Sequence, residues 1–436
     1  MQVEFWFDFS CPYAYLASRQ IEPIAAAAGV SVQLCPMLLG GVFRGIGGGD
    51  GPMASLSPAK ALHNSRDMLR WAERLGVPLE IPPAHPMRTV RALRVFLALP
   101  EPRWPAAMHA IYAAYWQRGE DVTRDDVIAA ALAAAGVPDG ERERAFAAAD
   151  SDAIKDDLRR RTERAIALGT FGAPTTIVRP REGAEPLLFW GQDRLDWVAT
   201  ALAGWDPDRD PPPGGTRGGA AWTTRTRRSD GEPRALDFWF DLSSPFAYLA
   251  STQIEAVAAA TGAALRWRPF LLGALFREIG TPDVPLLAQP EPKRRYFDRE
   301  MFRWARWWGV PFRFPTRFPM RTVTALRLLL AAGDQMPALA HRLFAALWVE
   351  DRDLADEATL AALCRDAGVD PGLVARTAEP AIKQALHDAT SAAREAGVFG
   401  APTCVVHDPS GPLLFWGQDR LELVAAAAAG WRPAAG

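Results

Sequence analysis

The 436-residue chain is poor in the residues that build metal and disulfide sites. It has four cysteines and six histidines, and none of them forms a CxxC, HxxxH or HExxH pattern. A disulfide framework and a zinc site are therefore not expected, and the sequence offers no set of metal ligands.

The chain also lacks a strong net charge and long apolar runs. Its 49 Lys and Arg nearly balance 51 Asp and Glu, which removes the electrostatic argument for nucleic acid or an anionic membrane as partner. No apolar run reaches the roughly 20 residues of a membrane span, and no basic stretch leads into an apolar one as in a signal peptide. We therefore expect a cytoplasmic protein, and its 49% apolar residues predict a globular one.

A long internal repeat sets the expected architecture. Residues 5–17 and 238–250 both read as an apolar strand, a polar turn, and Cys or Ser before Pro, at an offset of 233 (244 − 11). The motif Phe-Trp-Gly-Gln-Asp-Arg-Leu closes each copy at residues 189–195 and 415–421, now at an offset of 226 (415 − 189). A repeat of this length predicts a duplicated domain rather than a solenoid unit.

Composition places the boundary between the copies. Residues 206–234 are rich in Pro, Gly and Arg and have little periodic apolar content. We therefore predict one domain at residues 1–205, an extended or mobile linker at residues 206–234, and a second domain at residues 235–436.

Each copy shows the same order of predicted elements. In the first, strands at residues 3–9 and 31–37 flank a helix at residues 12–28. A long helical stretch follows over residues 58–168, and two strands and a helix close the copy between residues 175 and 203. The order predicts the α/β class, with two tandem thioredoxin-like domains that each carry an all-helical insertion between a βαβ half and a ββα half.

The strongest candidates for chemistry are Cys11 and Ser244, which precede a proline at the start of a helix. A helix N-terminus carries partial positive charge and unpaired N–H groups, so a thiolate is stabilised there. Cys11 could itself ionise with a pKa below the usual value of about 8.5, and the Ser244 hydroxyl could donate to a bound thiolate. An ordinary capped helix, with Ser at the N-cap and Pro at N1, explains the same residues.

Two further motifs also occur in both copies. Ala173-Pro174 and Ala401-Pro402 lead into strands, where a cis peptide bond would expose the backbone to an extended ligand. Gln192-Asp193 and Gln418-Asp419 begin the last helix and could receive a charged end of a ligand. An ordinary turn and an aspartate helix cap are the alternatives.

A polar helical face adds Lys60 and His63 in the first copy, and Lys293 and Tyr296 in the second. Their i, i+3 spacing places each pair on one side of a helix, which either faces a cleft or forms a solvated face with ion pairs. Arg88 and Arg321 begin the next helix and could bind a substrate carboxylate, or simply be exposed arginines.

In this order the motifs resemble those of the 2-hydroxychromene-2-carboxylate isomerase family, which belongs with kappa-class glutathione transferases and DsbA-like thioredoxin folds. The resemblance covers both copies and omits only the linker. It implies a glutathione site in each domain, where Ser244 supports the glutathione thiolate. Ala401-Pro402 would pair with the glutathione backbone, and Gln418-Asp419 would hold the γ-glutamyl end, with Lys293 and Tyr296 near the cleft. The same roles pass to Ala173, Pro174, Gln192, Asp193 and Lys60 in the first copy, where His63 replaces the tyrosine.

The activity that the resemblance implies is glutathione-dependent cis–trans isomerisation of a conjugated oxoacid in aromatic-compound breakdown, by reversible thiol addition. Arg321 would hold the substrate carboxylate. Two departures keep alternatives open: Cys11 replaces the serine, and the second copy has no asparagine where the family often has one. One alternative is a thiol oxidoreductase or kappa-type glutathione transferase that uses Cys11. Another is that one copy is degenerate and only packs against the other as an intramolecular pseudo-dimer.

Overall fold

A computed structural model describes residues 1–49, 51, 56–181, 183–217 and 234–434 of the protein. The chain folds into two compact units. The first comprises Met1–Ser55, Asp67–Arg209 and Gln289–Tyr296, and the second comprises Leu56–Arg66, Asp210–Ala288 and Phe297–Gly436. Relative to the contiguous domains predicted at residues 1–205 and 235–436, the units therefore exchange two short segments, at residues 56–66 and 289–296, and they divide the predicted linker between Arg209 and Asp210.

The first sequence copy contains four strands and nine helices among its described residues. The strands are β1 (Gln2–Phe7), β2 (Val32–Pro36), β3 (Thr175–Arg179) and β4 (Leu187–Trp190). The helices are α1 (Pro12–Ala27), α2 (Leu39–Gly45), α3 (Pro58–Leu75), α4 (Val90–Leu97), α5 (Trp104–Trp116), α6 (Asp125–Ala134), α7 (Asp139–Ala148), α8 (Asp152–Ala167) and α9 (Leu195–Leu202). The sheet order is β2-β1-β3-β4, with β1 parallel to β2 and antiparallel to β3.

The second copy repeats this arrangement. Its strands are β5 (Ala235–Phe240), β6 (Ala264–Pro269), β7 (Thr403–Asp408) and β8 (Gly411–Trp416), in the order β6-β5-β7-β8. Its helices are α10 (Pro245–Thr261), α11 (Leu272–Glu278), α12 (Glu291–Trp308), α13 (Val323–Ala331), α14 (Met336–Trp348), α15 (Glu357–Asp366), α16 (Leu373–Arg376), α17 (Pro380–Glu395) and α18 (Leu421–Ala428). No helix in the described part of the chain is long and apolar enough to cross a membrane.

The central strand of each sheet is apolar because helices cover both of its faces. Phe5, Trp6 and Phe7 in β1 are at most 1% exposed, as is typical of a strand that is buried on both sides. Phe7 meets Phe96 of α4 edge-on at 5.8 Å between ring centroids, so the helical insertion packs directly on the strand that leads into the candidate site.

The predicted fold class is confirmed: two thioredoxin-type domains each have a mixed four-stranded sheet with a helical insertion between the βαβ and ββα halves. The short helices α2 and α11 were not predicted from the sequence. Helix α2 contains three glycines in seven residues, so neither helix propensity nor apolar periodicity indicated it.

The structure describes only part of the linker predicted at residues 206–234, since residues 218–233 lie outside the described residues. Residues 206–217 form turns and bends rather than an extended tether. The backbone N–H of Arg217 donates to the Trp307 carbonyl at 2.8 Å, and its guanidinium lies 5.7 Å from the Trp307 ring centre. Arg217 therefore packs on α12, and both belong to the second unit.

Candidate functional site

Each candidate site begins at a buried aspartate that follows the central strand. The Asp8 carboxylate accepts hydrogen bonds from the Thr89 hydroxyl at 2.5 Å and the Leu39 N–H at 2.8 Å. In the second unit Asp241 accepts in the same way from Ser243, Leu272 and Thr322. Burial raises the pKa of both aspartates, against the opposing effect of these hydrogen bonds. Each aspartate thus joins the end of the central strand to the starts of two later helices, α2 and α4 in the first copy and α11 and α13 in the second. This role was not predicted from the sequence, although the residue occurs in both copies.

Three residues after Asp8, Cys11 lies at the start of α1 and contacts the proline turn. Its Sγ donates a hydrogen bond to the Ala173 carbonyl at 3.0 Å, across 162 residues of sequence. The Ala173–Pro174 peptide bond is cis, as is Ala401–Pro402, so the predicted cis turn is confirmed in both copies. The backbone fold therefore places the candidate thiol directly beside the turn that the sequence analysis had singled out.

Ser244 makes the same contact and one more. Its Oγ donates to the Ala401 carbonyl at 2.9 Å and accepts from the Ala247 N–H at 3.1 Å. The second bond is an N-cap, so Ser244 is both a helix cap and a member of the site. Cys11 makes no such side-chain cap to α1.

The oxidoreductase alternative requires a lowered pKa for Cys11, and this arrangement gives a raised one. Burial raises the pKa of the Cys11 thiol to about 12, and the negative charge of Asp8 acts in the same direction. The backbone N–H groups of Ala14 and Tyr13 lower the pKa, but by less than burial raises it. The partial charge of a helix N-terminus stabilises a thiolate only where desolvation does not outweigh it.

The Gly-Gln-Asp motif lies against the same cis-proline turn. The Gly191 N–H donates to the Pro174 carbonyl at 3.0 Å, and Gly417 donates to Pro402 at the same distance. Gly191 has a φ of 107°, and a Cβ there would collide with the Asp193 carboxylate, so glycine is required. The motif is therefore held in place by its backbone.

The glutamines that follow are buried. Gln192 is 7% exposed, and its Nε2 has no hydrogen-bond partner among the described residues; Gln418 is 4% exposed. The alternative that Asp193 and Asp419 cap the last helices is wrong, because each lies in a short 3-10 turn and the N-caps of α9 and α18 are the following arginines. A buried amide without a partner points to a ligand, since such groups are costly to leave unpaired.

The structure assigns the polar helical face differently from the sequence analysis. Lys60 and His63, predicted to serve the site of the first copy, lie in the second unit. The Lys60 Nζ is 4.6 Å from the ring centre of Trp416, and His63 Nε2 accepts from the Trp416 N–H at 3.2 Å. Burial lowers the pKa of Lys60. The start of α3 therefore packs against β8 of the second copy. Local sequence periodicity does not predict such a long-range contact.

The converse holds for Lys293 and Tyr296, which lie in the first unit. The Lys293 Nζ is 5.6 Å from the ring centre of Trp190, and the Tyr296 hydroxyl accepts from the Trp190 N–H at 3.1 Å. Tyr296 also packs on Phe171, with 5.2 Å between ring centroids, at the start of the cis-proline turn. Each tryptophan that precedes Gly-Gln-Asp therefore receives a Lys and a Tyr or His from the other sequence copy.

Arg88 and Arg321 are exposed. Each follows a second cis-proline, at His85–Pro86 and Phe318–Pro319, that the sequence analysis did not predict. Arg88 immediately precedes Thr89, the residue that donates to Asp8, so its backbone lies close to the turn that carries Cys11. The arginines are thus accessible to a ligand from solvent.

A family model described as a DSBA-like thioredoxin domain matches the chain twice, at residues 2–203 and 235–429. A 2-hydroxychromene-2-carboxylate isomerase of Sphingobium xenophagum is 29% identical over 200 residues, which cover 44% of this chain and 96% of the isomerase. Glutathione S-transferase kappa 1 of Homo sapiens is 25% identical over 206 residues, covering 44% of this chain and 90% of the transferase. A solved structure of a 2-hydroxychromene-2-carboxylate isomerase covers 47% of this chain and 95% of its own, at 24% identity and a TM-score of 0.40.

Proposed function

Because the chain belongs to the DSBA-like thioredoxin domain family in both of its copies, we propose that it is a glutathione-dependent cis–trans isomerase. Its substrate would be a conjugated oxoacid that resembles 2-hydroxychromene-2-carboxylate. Relatives that are isomerases and glutathione transferases support an enzyme of this superfamily. The observation that carries the proposal is a side-chain donor at a helix N-terminus beside the carbonyl that precedes a cis-proline, built twice in one chain.

Ser244 would support a thiolate bound at this turn. Its single proton now engages the Ala401 carbonyl at 2.9 Å. Redirecting that proton to a sulfur anion exchanges a neutral hydrogen bond of about 1 kcal/mol for a charged one of about 1.5–3 kcal/mol. The N–H groups at the start of α10 add favourable charge, so the exchange stabilises the anion.

The remaining groups fit a tripeptide with charged ends. The backbone of Ala173 and Ala401 before the cis-prolines offers polar groups to an extended ligand. The Gln192 amide, buried and without a partner among the described residues, fits the amino-acid end of the γ-glutamyl group, as would Asp193 beside it. In the second copy Gln418 and Asp419 would take the same role. The residues present therefore suit glutathione.

The chemistry that glutathione supplies when bound is a thiol that adds to a conjugated double bond and later leaves it. The protein would contribute orientation and charge. Arg321, and Arg88 in the first copy, would hold the substrate carboxylate, because an exposed guanidinium binds a carboxylate through two parallel hydrogen bonds. Loss of either arginine should raise KM for the acid more than it lowers kcat.

A kappa-type glutathione transferase is the second candidate, because kappa-class relatives match the chain over similar lengths. It would use the same thiolate site on an electrophile. A thiol oxidoreductase that uses Cys11 is disfavoured by the raised pKa of that thiol and by the absence of a partner cysteine in Cys11-Pro12-Tyr13-Ala14. That one copy is degenerate, and that the copies form a pseudo-dimer, stay predictions.

Isomerase assays on the full chain test the proposal. Conversion of 2-hydroxychromene-2-carboxylate should require glutathione and should fail with S-methylglutathione, which keeps the peptide contacts but has no thiol. An activated aryl halide in place of the oxoacid tests the transferase. Turnover that does not depend on glutathione, or calorimetry without any glutathione binding, would refute both activities.

A further inference from the structure

We infer that each glutathione site is completed by the opposite sequence copy, so that Lys60 and His63 serve the Ser244 site while Lys293 and Tyr296 serve the Cys11 site. The inference rests on the proposed function for the identity of the ligand. The linear repeat would instead assign Lys60 and His63 to the Cys11 site, and Lys293 and Tyr296 to the Ser244 site.

A continuous series of contacts links His63 to Ser244 within the second unit. His63 accepts from the Trp416 N–H at 3.2 Å, and the next residue, Gly417, donates to the Pro402 carbonyl at 3.0 Å. The residue before that proline, Ala401, accepts from Ser244. His63 therefore fixes the end of β8, which leads into the Gly-Gln-Asp motif and is hydrogen-bonded through Gly417 to the cis-proline turn before β7.

The first unit contains the same series with a different acceptor. Tyr296 accepts from the Trp190 N–H at 3.1 Å, Gly191 donates to Pro174 at 3.0 Å, and Cys11 donates to Ala173. A phenol and an imidazole thus perform one task, and the sites pair Cys11 with Tyr296 and Ser244 with His63. The positioning role requires an acceptor atom, which Tyr and His have and Phe lacks.

The lysines supply the charge. Lys60 and Lys293 lie on the faces of Trp416 and Trp190, one residue before the glycine that starts the binding motif. A cation–π contact places an ammonium group beside the ring, and a carboxylate of the tripeptide that reaches this position would be attracted by its charge. The chain has only two other lysines, Lys155 and Lys383, on α8 and α17.

Crosslinking tests the assignment without any ligand. The double variants Lys60→Cys/Trp416→Cys and Lys293→Cys/Trp190→Cys should each be joined by a short bismaleimide within the chain. The same-copy pairs, Lys60→Cys/Trp190→Cys and Lys293→Cys/Trp416→Cys, should not. All four positions are half-buried, so the substitutions should be tolerated, and circular dichroism checks the fold. Preferential crosslinking of the same-copy pairs would overturn the inference.

Calorimetry with glutathione then tests the role. One site is silenced by Gln192→Leu/Asp193→Lys and the other by Gln418→Leu/Asp419→Lys. Lys60→Met should weaken binding about tenfold when the first-unit site is silenced, as expected for loss of a hydrogen bond to a charged group, and leave it unchanged when the second-unit site is silenced. Lys293→Met should do the reverse, and Lys155→Met and Lys383→Met should do neither.

Positioning by His63 has its own readout. His63→Tyr should keep glutathione affinity at the Ser244 site, whereas His63→Phe should reduce it, and Tyr296→His and Tyr296→Phe should show the same contrast at the Cys11 site. The positioning role would be refuted if His63→Phe and His63→Tyr, or Tyr296→Phe and Tyr296→His, changed glutathione affinity equally. If the unsubstituted chain binds no glutathione, the proposed function fails, while the crosslinks still decide whether the segments are exchanged.

Discussion

The Cys11 and Ser244 turns share one backbone arrangement but differ in what the side chain does with it. Both donate to the carbonyl before a cis-proline, at 3.0 and 2.9 Å. Only Ser244 also caps its helix, by accepting from Ala247. The hydrogen bond to the carbonyl before the cis-proline therefore does not depend on the helix cap. Capping explains only one of the two hydrogen bonds of Ser244, the one that it accepts from Ala247.

Removal of the side-chain donor, the Ser244 hydroxyl or the Cys11 thiol, should give the largest difference in activity between the two turns. In a Cys11→Ala background, Ser244→Ala should lower kcat for isomerisation about 100-fold or more, the usual cost of losing a donor to a developing anion. Ser244→Cys keeps a donor and should be less impaired. Cys11→Ala alone shows how much the first unit contributes. Full activity of the double alanine variant would exclude both side chains from the reaction.

Alkylation of Cys11 tests its environment. With a pKa of about 12, about one thiol in 10,000 is ionised at pH 8, compared with about a quarter at the usual 8.5. The more basic thiolate is intrinsically more reactive by roughly 40-fold, so alkylation should still be about 50-fold slower than in the unfolded chain. Because the Cys11 thiol stays mostly protonated below pH 12, the alkylation rate should rise about tenfold per pH unit from pH 8 to pH 11.

Peptide mapping of iodoacetamide-treated protein measures this rate for Cys11 alone, with the urea-unfolded chain as control. The same raised pKa stabilises the fold below the unfolded-state pKa of about 8.5, and that contribution is lost as the pH rises towards 12. A labelling rate that levels off below pH 8 would restore Cys11 as a reactive thiol and with it the oxidoreductase alternative.

The buried glutamines offer a smaller contrast. Gln192→Leu should weaken glutathione binding in the first unit about tenfold, the effect of one lost hydrogen bond to a charged end. It should not destabilise the protein, because the Gln192 Nε2 has no partner among the described residues to lose. Gln418→Leu is the matched variant for the second unit. Calorimetry and thermal unfolding report the two effects; destabilisation by Gln192→Leu without a change in affinity would make the residue structural.

Exchange of the two side chains should give the smallest effects, with opposite signs. Ser244→Cys loses an N-cap and should lower the free energy of unfolding by about 1 kcal/mol, while Cys11→Ser can gain a cap and should raise it by a similar or smaller amount. Urea unfolding of both variants measures the difference. Shifts of the same sign would mean that packing around the sulfur, and not the cap, distinguishes the two turns.

Much of the fold was readable because its signals are local. Short apolar strands, prolines at helix starts and the repeat at an offset of 233 residues predicted both sheets and the helical insertions. Helix α2 was not predicted, because its glycines have low helix propensity and the helix is held by tertiary packing. The site was readable only in part: the Cys/Ser turn and the cis-proline lie side by side as expected, whereas the partners of Asp8 come from Leu39 and Thr89, far along the chain.

The sequence by itself therefore determined the strand, turn and helix that present Cys11 and Ser244, because these depend on neighbouring residues. The tertiary structure decided two things that local chemistry does not encode. Burial set the pKa of Cys11, since desolvation depends on everything packed around the thiol. Long-range packing chose which helical segment meets which turn: His63 reaches Trp416 across 353 residues of chain, a contact that no local pattern specifies.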